Sequence, residues 1–527
     1  MSWRREGSGL KKDRVLLIAL VLFGTALGVR WVAMLENQVI ARDAILYIKA
    51  AKLYAVGDYA GGFNAFPRSI FPLFIVFAQR IFGDWVRAGQ WVSTFFGALA
   101  VIPLYLLARR IFNEKIALIS AIFYVVCPSL VKDSAEVLRE MPFLFFYTTA
   151  LWLGYEGIRG KSLWAMGLAG VSVLLCASLK DYGLMLFVSL LLFLCWFLVK
   201  RQITMGKALI LCSTFLASAM IALTLFGIVL DYKRYNMHAS IVSRAKGALA
   251  GITHHRAAMS GLEDEIERLE LSTQGKRLLG LAIDHRFALY FFNIISKTVH
   301  AFNIILFIFF IFGLIKRYIV PYRFDEFLLF TIYVAYIPLF FLLLNFANYL
   351  QTKNTFPLLV PSLIWSGVGF EEFTERATHW LQKRSLLFKK WDIQRTGLLM
   401  LILVTIAMLF VNWVPHRQDK LWHKEVGIWL RNHGYAHSIM VGQEELDRLA
   451  FYADSEFIPL PKGSYEEIMK FAREKKASLL VLDKKAADRL PLNFFDRISP
   501  KDLQPVDITG IKTLKYATII LSVVNQK

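Results

Sequence analysis

Apolar residues along this chain come in runs of about 20, the length at which an α-helix covers a hydrocarbon core of roughly 30 Å. The runs lie at 15–35, 88–108, 115–131, 141–158, 162–179, 183–199, 207–230, 291–315, 326–347, 355–370 and 397–414. They predict about eleven membrane-crossing helices. Two intervals between runs are long. The first, 36–87, contains amphipathic stretches at Ile45 to Val56 and Ile70 to Ile81, the pattern of helices lying in the membrane interface. The second, 231–290, mixes many basic positions with an acidic helix at Glu263 to Glu270. After Pro415 the pattern changes. Ser438 to Val441 and Leu479 to Leu482 read as strands, Ser464 to Glu467 has capping-box spacing ahead of Ile468 to Lys475, and Tyr516 to Val524 is a β-rich run. The expected architecture is an α-helical polytopic membrane bundle over 1–414, with external loops 36–87 and 231–290, followed by a soluble α/β domain over 415–527.

Composition agrees with that pattern. Of 527 residues, 56% are hydrophobic and 19% charged, against roughly a half and a quarter in soluble domains. Lys and Arg number 61 against 40 Asp and Glu, a formal charge of +21. In a soluble chain that excess suggests nucleic acid. Here it reflects basic connections held in the cytoplasm, such as Arg109-Arg110, Arg159 to Lys161, Lys200-Arg201, Lys316-Arg317 and the Lys383 to Arg395 segment, so nucleic acid is not an expected partner. The last 113 residues hold 18 Lys and Arg and 15 Asp and Glu, which leaves nearly all the excess in the membrane part.

The first 14 residues carry Arg4, Arg5, Lys11, Lys12 and Arg14, and the run after them is too long for a signal-peptide core. The expectation is an uncleaved first span with a cytoplasmic amino terminus, and an odd span count puts the carboxyl-terminal domain outside. Cys127, Cys176, Cys195 and Cys212 sit in or beside apolar runs without metal-ligand spacing and read as core residues.

Ionisable groups at the ends of membrane helices cost energy to bury and merit a role. Asp43 lies just beyond the first span, and Glu140 opens the fourth, with Asp133 and Glu136 before it. Two carboxylates on one face of a bundle can supply a base or bind a divalent cation through oxygen; the ordinary alternative pairs them with Arg42 and Arg139. Arg68, Arg87, Lys180, Arg286 and Lys353 are basic groups assigned to the same face. Lys353 stands before Pro357 at the mouth of the tenth span, where an ammonium can meet a phosphate at headgroup level.

From about residue 40 to 200 the chain resembles the integral membrane glycosyltransferases of the GT-C class, the group of protein O-mannosyltransferases and the lipid A aminoarabinose transferase. The resemblance rests on Asp43 and Tyr47, Gly57-Asp58-Tyr59, the Pro-containing stretch Phe66 to Leu73, Phe82-Gly83-Asp84 and Arg87, Pro103 to Phe112, Pro128, Glu140-Met141-Pro142 and Leu179 to Leu184.

The resemblance implies a polyprenyl-phosphate-linked sugar donor, an acceptor that is a glycan, lipid or protein, and a catalytic Asp in the first external loop. By that likeness Asp43 is the base and Glu140 the second acidic position. Lys353, with Arg286 or Arg256, meets the donor phosphate, and Arg68, Arg87, Tyr47 and Lys180 support the site. Ala44 stands where many relatives have a second acid, which counts against a metal requirement; if a divalent metal ion is bound, Asp43 and Glu140 are its expected ligands. The expected reaction is an inverting transfer at the outer face of a plasma membrane, the bacterial inner membrane. A transporter or flippase of a lipid-linked anion is the competing reading. A noncatalytic assembly protein is a third, and it leaves Asp43 and Glu140 unexplained.

Overall fold

The computed structural model describes residues 12–67, 69–229, 272–319, 323–347, 349–384, 392–412, 417–461, 463–483, 499, 502–508 and 518–523. Contacts divide the chain into two units, Met1–Met34 with Ala50–Val414 and Leu35–Lys49 with Pro415–Lys527.

The first unit is helical. It is built from α1 (Lys12–Glu36), α2 (Arg42–Ala55), α3 (Tyr59–Ala65), α4 (Phe71–Phe82), α5 (Trp85–Leu99), α6 (Val101–Ile111), α7 (Glu114–Val126), α8 (Pro128–Ser134), α9 (Glu140–Gly160), α10 (Leu163–Leu179), α11 (Met185–Val199), α12 (Met205–Val229), α13 (Thr273–Asp284), α14 (Arg286–Phe302), α15 (Ile304–Ile319), α16 (Phe327–Ala347), α17 (Phe356–Arg384) and α18 (Ile393–Asn412). The unit boundary falls inside α1 and α2. Among the described residues six stretches are long and apolar enough to span a membrane, and eight if each of two bent pairs is one span. The amphipathic stretches of the first loop form α2 and α4. Asp58 and Asp84 each accept a backbone N–H in the first turn of the following helix, so both acids act as helix caps.

Two apolar runs fold as broken helices. The run at 115–131 bends by 53° between α7 and α8, because Pro128 has no N–H to give the Tyr124 carbonyl. Arg30, fully buried in α1, donates to the carbonyls of Tyr124 at 3.2 Å and Val125 at 3.3 Å, and to Ser134 Oγ at 3.2 Å. Asn412 donates to Val126 O at 3.0 Å. The run at 291–315, expected as one span, is interrupted at Asn303, whose φ of 70° and ψ of 142° lie in a region that L side chains rarely adopt. Ser129 Oγ takes up the Ala301 carbonyl left at that break.

One end of the bundle is tied by ion pairs: Arg109 with Glu114, Arg110 with Glu156, Arg159 with Asp325, Lys316 with Glu372 and the buried pair of Arg317 and Glu326. Between them α15 and α17 touch backbone to backbone. A Cβ on Gly369 would lie 1.7 Å from Phe309 O, and one on Gly313 2.1 Å from Trp365 O, so only glycine permits this approach.

The second unit contains a five-stranded sheet in the order β2-β1-β3-β5-β4, from β1 (Ile439–Gly442), β2 (Glu456–Pro459), β3 (Leu479–Asp483), β4 (Leu503–Pro505) and β5 (Thr518–Val523). β2, β1 and β3 run parallel, and β5 pairs antiparallel with β3 and β4. Alternation along the strands sends Val441, Leu480 and Leu482 to one face, packed on α21 (Tyr465–Glu474). Met440, Leu479 and Val481 face α19 (Leu421–Leu430) and α20 (Asp447–Tyr452). Ser464 and Glu467 form the expected capping box. Strands β2 and β4, which bury little of their length, carry no apolar run that the sequence pattern could show.

Arg30→Leu leaves two main-chain carbonyls at the Pro128 break without donors, at about 1–3 kcal/mol for each buried acceptor. The purified variant is expected to melt at a clearly lower apparent Tm in detergent, with Arg30→Lys intermediate. An unchanged Tm refutes the role given to Arg30.

Candidate active site

Glu140 is the first residue of α9, where the positive end of a helix favours an anion. The turn that delivers it, between α8 and α9, is pinned to α5. Ser93 Oγ donates to Leu138 O at 2.8 Å and accepts from Leu138 N, and Thr94 donates to Ser134 O at 2.9 Å. Lys180 leaves α10 in an extended conformation and comes to the same end because α9 and α10 form an antiparallel hairpin. Lys353 sits in the short Thr352–Thr355 turn that opens α17, and α17 is anchored to α9 by Tyr147, whose hydroxyl donates to Pro357 O at 3.0 Å.

These three side chains meet. Lys180 Nζ lies 2.8 Å and Lys353 Nζ 3.4 Å from the same Glu140 oxygen, Oε1. Glu140 and Lys180 are buried, with side chains 1% and 5% exposed, whereas Lys353 keeps 21% exposure. Glu140 Oε2 is buried without a hydrogen-bond partner. Asp133 is within electrostatic reach of Glu140, Glu136, Lys353 and Lys180. Arg139 donates to Leu179 O at 2.6 Å and covers the Phe66 ring, and its charge also reaches Glu140. A carboxylate that carries two ammonium groups at a water-poor helix end is a built charge array. It can hold one lysine rigidly while the looser one answers to an anion.

The other expected residues are distributed elsewhere. Asp43 is the second residue of α2, half-buried, and belongs with Tyr47 to the second unit. Arg42, the alternative partner considered for Asp43, is engaged by Asp447 at 2.9 Å. Arg87 is exposed, and its backbone N–H is used by the Asp84 cap. Arg286 opens α14 and lies over the Phe287 ring. Arg68 and Arg256 lie outside the described residues. Lys180, expected only as a supporting residue, is instead the tightest partner of Glu140. The signal was the parity of the short α9–α10 hairpin, which returns residue 180 to the end where residue 140 starts.

Comparisons with known proteins agree with this architecture. Residues 69–227 match the family model described as dolichyl-phosphate-mannose-protein mannosyltransferase. Among solved structures the chain is similar to ArnT from Cupriavidus metallidurans in the apo state, with a TM-score of 0.58 and 13% identity over 96% of this chain and 98% of that one. The undecaprenyl-phosphate-bound form of that protein gives 0.53 and 11% over the same shares. The archaeal oligosaccharyltransferase AglB from Archaeoglobus fulgidus, in complex with an inhibitory peptide and a dolichol-phosphate, gives 0.55 and 14% over 91% and 70%.

This chain has a GT-C fold.

The expected resemblance to GT-C glycosyltransferases is therefore borne out in the fold, and the apolar helices agree with the reading of the chain as an integral membrane protein. No curated protein sequence matches the chain. Another AglB structure is a complex with Zn and sulfate, at a TM-score of 0.54 and 13% identity over 89% and 68%. Among the described residues of this chain no three His, Cys, Asp or Glu side chains come together to hold a metal ion. A dication at Glu140 has to displace an ammonium group from Oε1 or bind through Oε2 alone.

Lys180→Met breaks a buried ion pair, a change that costs about 3–5 kcal/mol because it leaves a charge uncompensated. A lower apparent Tm in detergent is expected, with a smaller loss for the more exposed Lys353→Met. The Glu140→Gln/Lys180→Met double variant should lose less than the sum of its singles; additive losses count against the pairing.

Proposed function

We propose that this protein transfers a sugar from a polyprenyl-phosphate-linked donor to an acceptor hydroxyl or amine on a glycan, lipid or protein. The reaction takes place at the outer face of the plasma membrane, the bacterial inner membrane. The observation that carries the proposal is the array of Glu140, Lys180 and Lys353 at one end of a GT-C bundle. The lipid phosphates bound by ArnT and AglB support the donor class. In this reading the amino terminus is cytoplasmic and the Glu140 end of the bundle and the carboxyl-terminal domain face outward.

Each proposed part has a chemical task. The acceptor oxygen or nitrogen attacks the anomeric carbon, the bond from that carbon to the phosphate oxygen breaks, and its electron pair leaves with the lipid phosphate. Asp43 takes the acceptor's proton. Lys353, the more exposed and more loosely held ammonium, turns to the departing phosphate and stabilises the charge it gains. Lys180 stays on Glu140 and keeps that carboxylate from competing for Lys353. Arg286 and Arg256 are further candidates for the phosphate, and Arg68, Arg87 and Tyr47 for support. A direct displacement inverts the anomeric centre.

Transfer from a panel of labelled polyprenyl-phosphate sugars tests the reading. Asp43→Asn is expected to lower kcat by about 10²–10⁴, the contribution of one positioned base. Unchanged turnover moves the base elsewhere, and donor accumulating on the opposite leaflet without glycosylated product favours a flippase. The product's anomeric configuration, read by NMR coupling constants, should be opposite to the donor's; retention contradicts direct displacement.

A further inference from the structure

The segment that precedes Asp43 is bound by the carboxyl-terminal domain. Asn37 to Ala41, between α1 and α2, has no regular secondary structure, yet Val39, Ile40 and Ala41 are 2%, 2% and 3% exposed. Buried main chain outside helices and sheets needs partners from elsewhere. Here they come from α20. The Ile40 N–H donates to Tyr452 Oη at 3.0 Å, and the Ile40 carbonyl accepts from Arg448 Nε at 3.0 Å. Tyr452 Oη also reaches the Gln38 carbonyl at 3.5 Å. Arg448 and Tyr452 are four residues apart and so share one face of their helix. Arg42, the first residue of α2, donates to Asp447 Oδ2 at 2.9 Å, with Glu444 3.9 Å away. Both backbone groups of Ile40 and the side chain of Arg42 are thus held by one short stretch of the soluble domain, and Asp43 is the next residue.

We infer that α20 of the carboxyl-terminal domain is a positioning element for Asp43, with Asp447, Arg448 and Tyr452 as positioning residues. The inference rests on the proposed role of Asp43 as the base and deepens it. A side chain in the first turn of a helix points where the phase of that helix sends it. The Ala44 N–H already closes that turn on the Ala41 carbonyl at 3.1 Å. Clamping Ile40 and Arg42 fixes the phase from the amino-terminal side. The soluble domain is then part of the catalytic apparatus through the backbone of residues 38–42.

The test uses the full-length protein in detergent micelles. Hydrogen exchange of the amides in 37–46 is compared for the wild type, Tyr452→Phe, Asp447→Arg, Arg42→Asp and the swapped pair Arg42→Asp/Asp447→Arg. Tyr452→Phe keeps the ring and removes only the hydroxyl. Exchange in 37–46 is expected to quicken at least about tenfold in the single variants, the factor carried by one hydrogen bond to a buried or charged group. The peptide covering 140–160 should not change, and the swapped pair should return toward the wild type. In transfer assays the same singles should lower kcat, leave KM for the polyprenyl-phosphate sugar within about twofold, and recover in the swap. Unchanged exchange in 37–46 overturns the clamp. Quickened exchange with undiminished kcat overturns the positioning role. Full turnover by Asp43→Asn overturns the reading of Asp43 beneath it, and because the exchange measurement does not involve Asp43 the two failures are told apart.

Discussion

A hydrocarbon interior offers no hydrogen bonds, and most irregular features of the bundle answer to that constraint. The breaks at Pro128 and Asn303 release carbonyls at membrane depth, and each is met by a side chain from another part of the chain: Arg30 and Asn412 at the first, Ser129 at the second. Arg30 is the clearest case. It is a buried guanidinium that spends its donors on main-chain and hydroxyl oxygens across a helix bend. The bend in turn sets the course of α8, which runs from Pro128 to Ser134 and is followed by the turn that leads to Glu140, so the placing of the charge array depends on a backbone requirement met at the other end of α8.

The two ends of the bundle use charge differently. At the end marked by Arg317 and Glu326, acids and bases pair across neighbouring connections, and the pairs join helix ends. At the other end two ammonium groups share one carboxylate oxygen while its second oxygen has no hydrogen-bond partner. A carboxylate that holds two cations at once can give up the looser one to an arriving anion.

Much of this was legible in the sequence, and the limits have physical causes. The expected apolar runs fall on helices, because lipid-facing surface must be apolar on all sides that meet it. The strands at 439–442 and 479–483 and the capping box at Ser464 carry local signals strong enough to read without tertiary information. The break at Asn303 was not legible: its neighbours are apolar on both sides, and nothing in that pattern separates one long helix from two. Glu140 and Lys353 were singled out by their positions at span ends. Their meeting at one oxygen needed the packing of α9 against α17, which no local pattern encodes. The bonds from α20 to Ile40 were hidden for a different reason: they join positions some 400 residues apart and use backbone groups, which carry no residue signature.

The glycine contact between α15 and α17 has a consequence for distant positions. With Gly313 and Gly369 packed against opposing carbonyls, neither helix can slide along the other by even a fraction of a turn. Lys353 sits at the start of α17, roughly 20 Å of helix from Gly369 at 1.5 Å per residue. The crossing therefore acts as a depth stop that sets where along the bundle the ammonium stands. A main-chain contact several turns away, where no side chain can be added, thus governs its height.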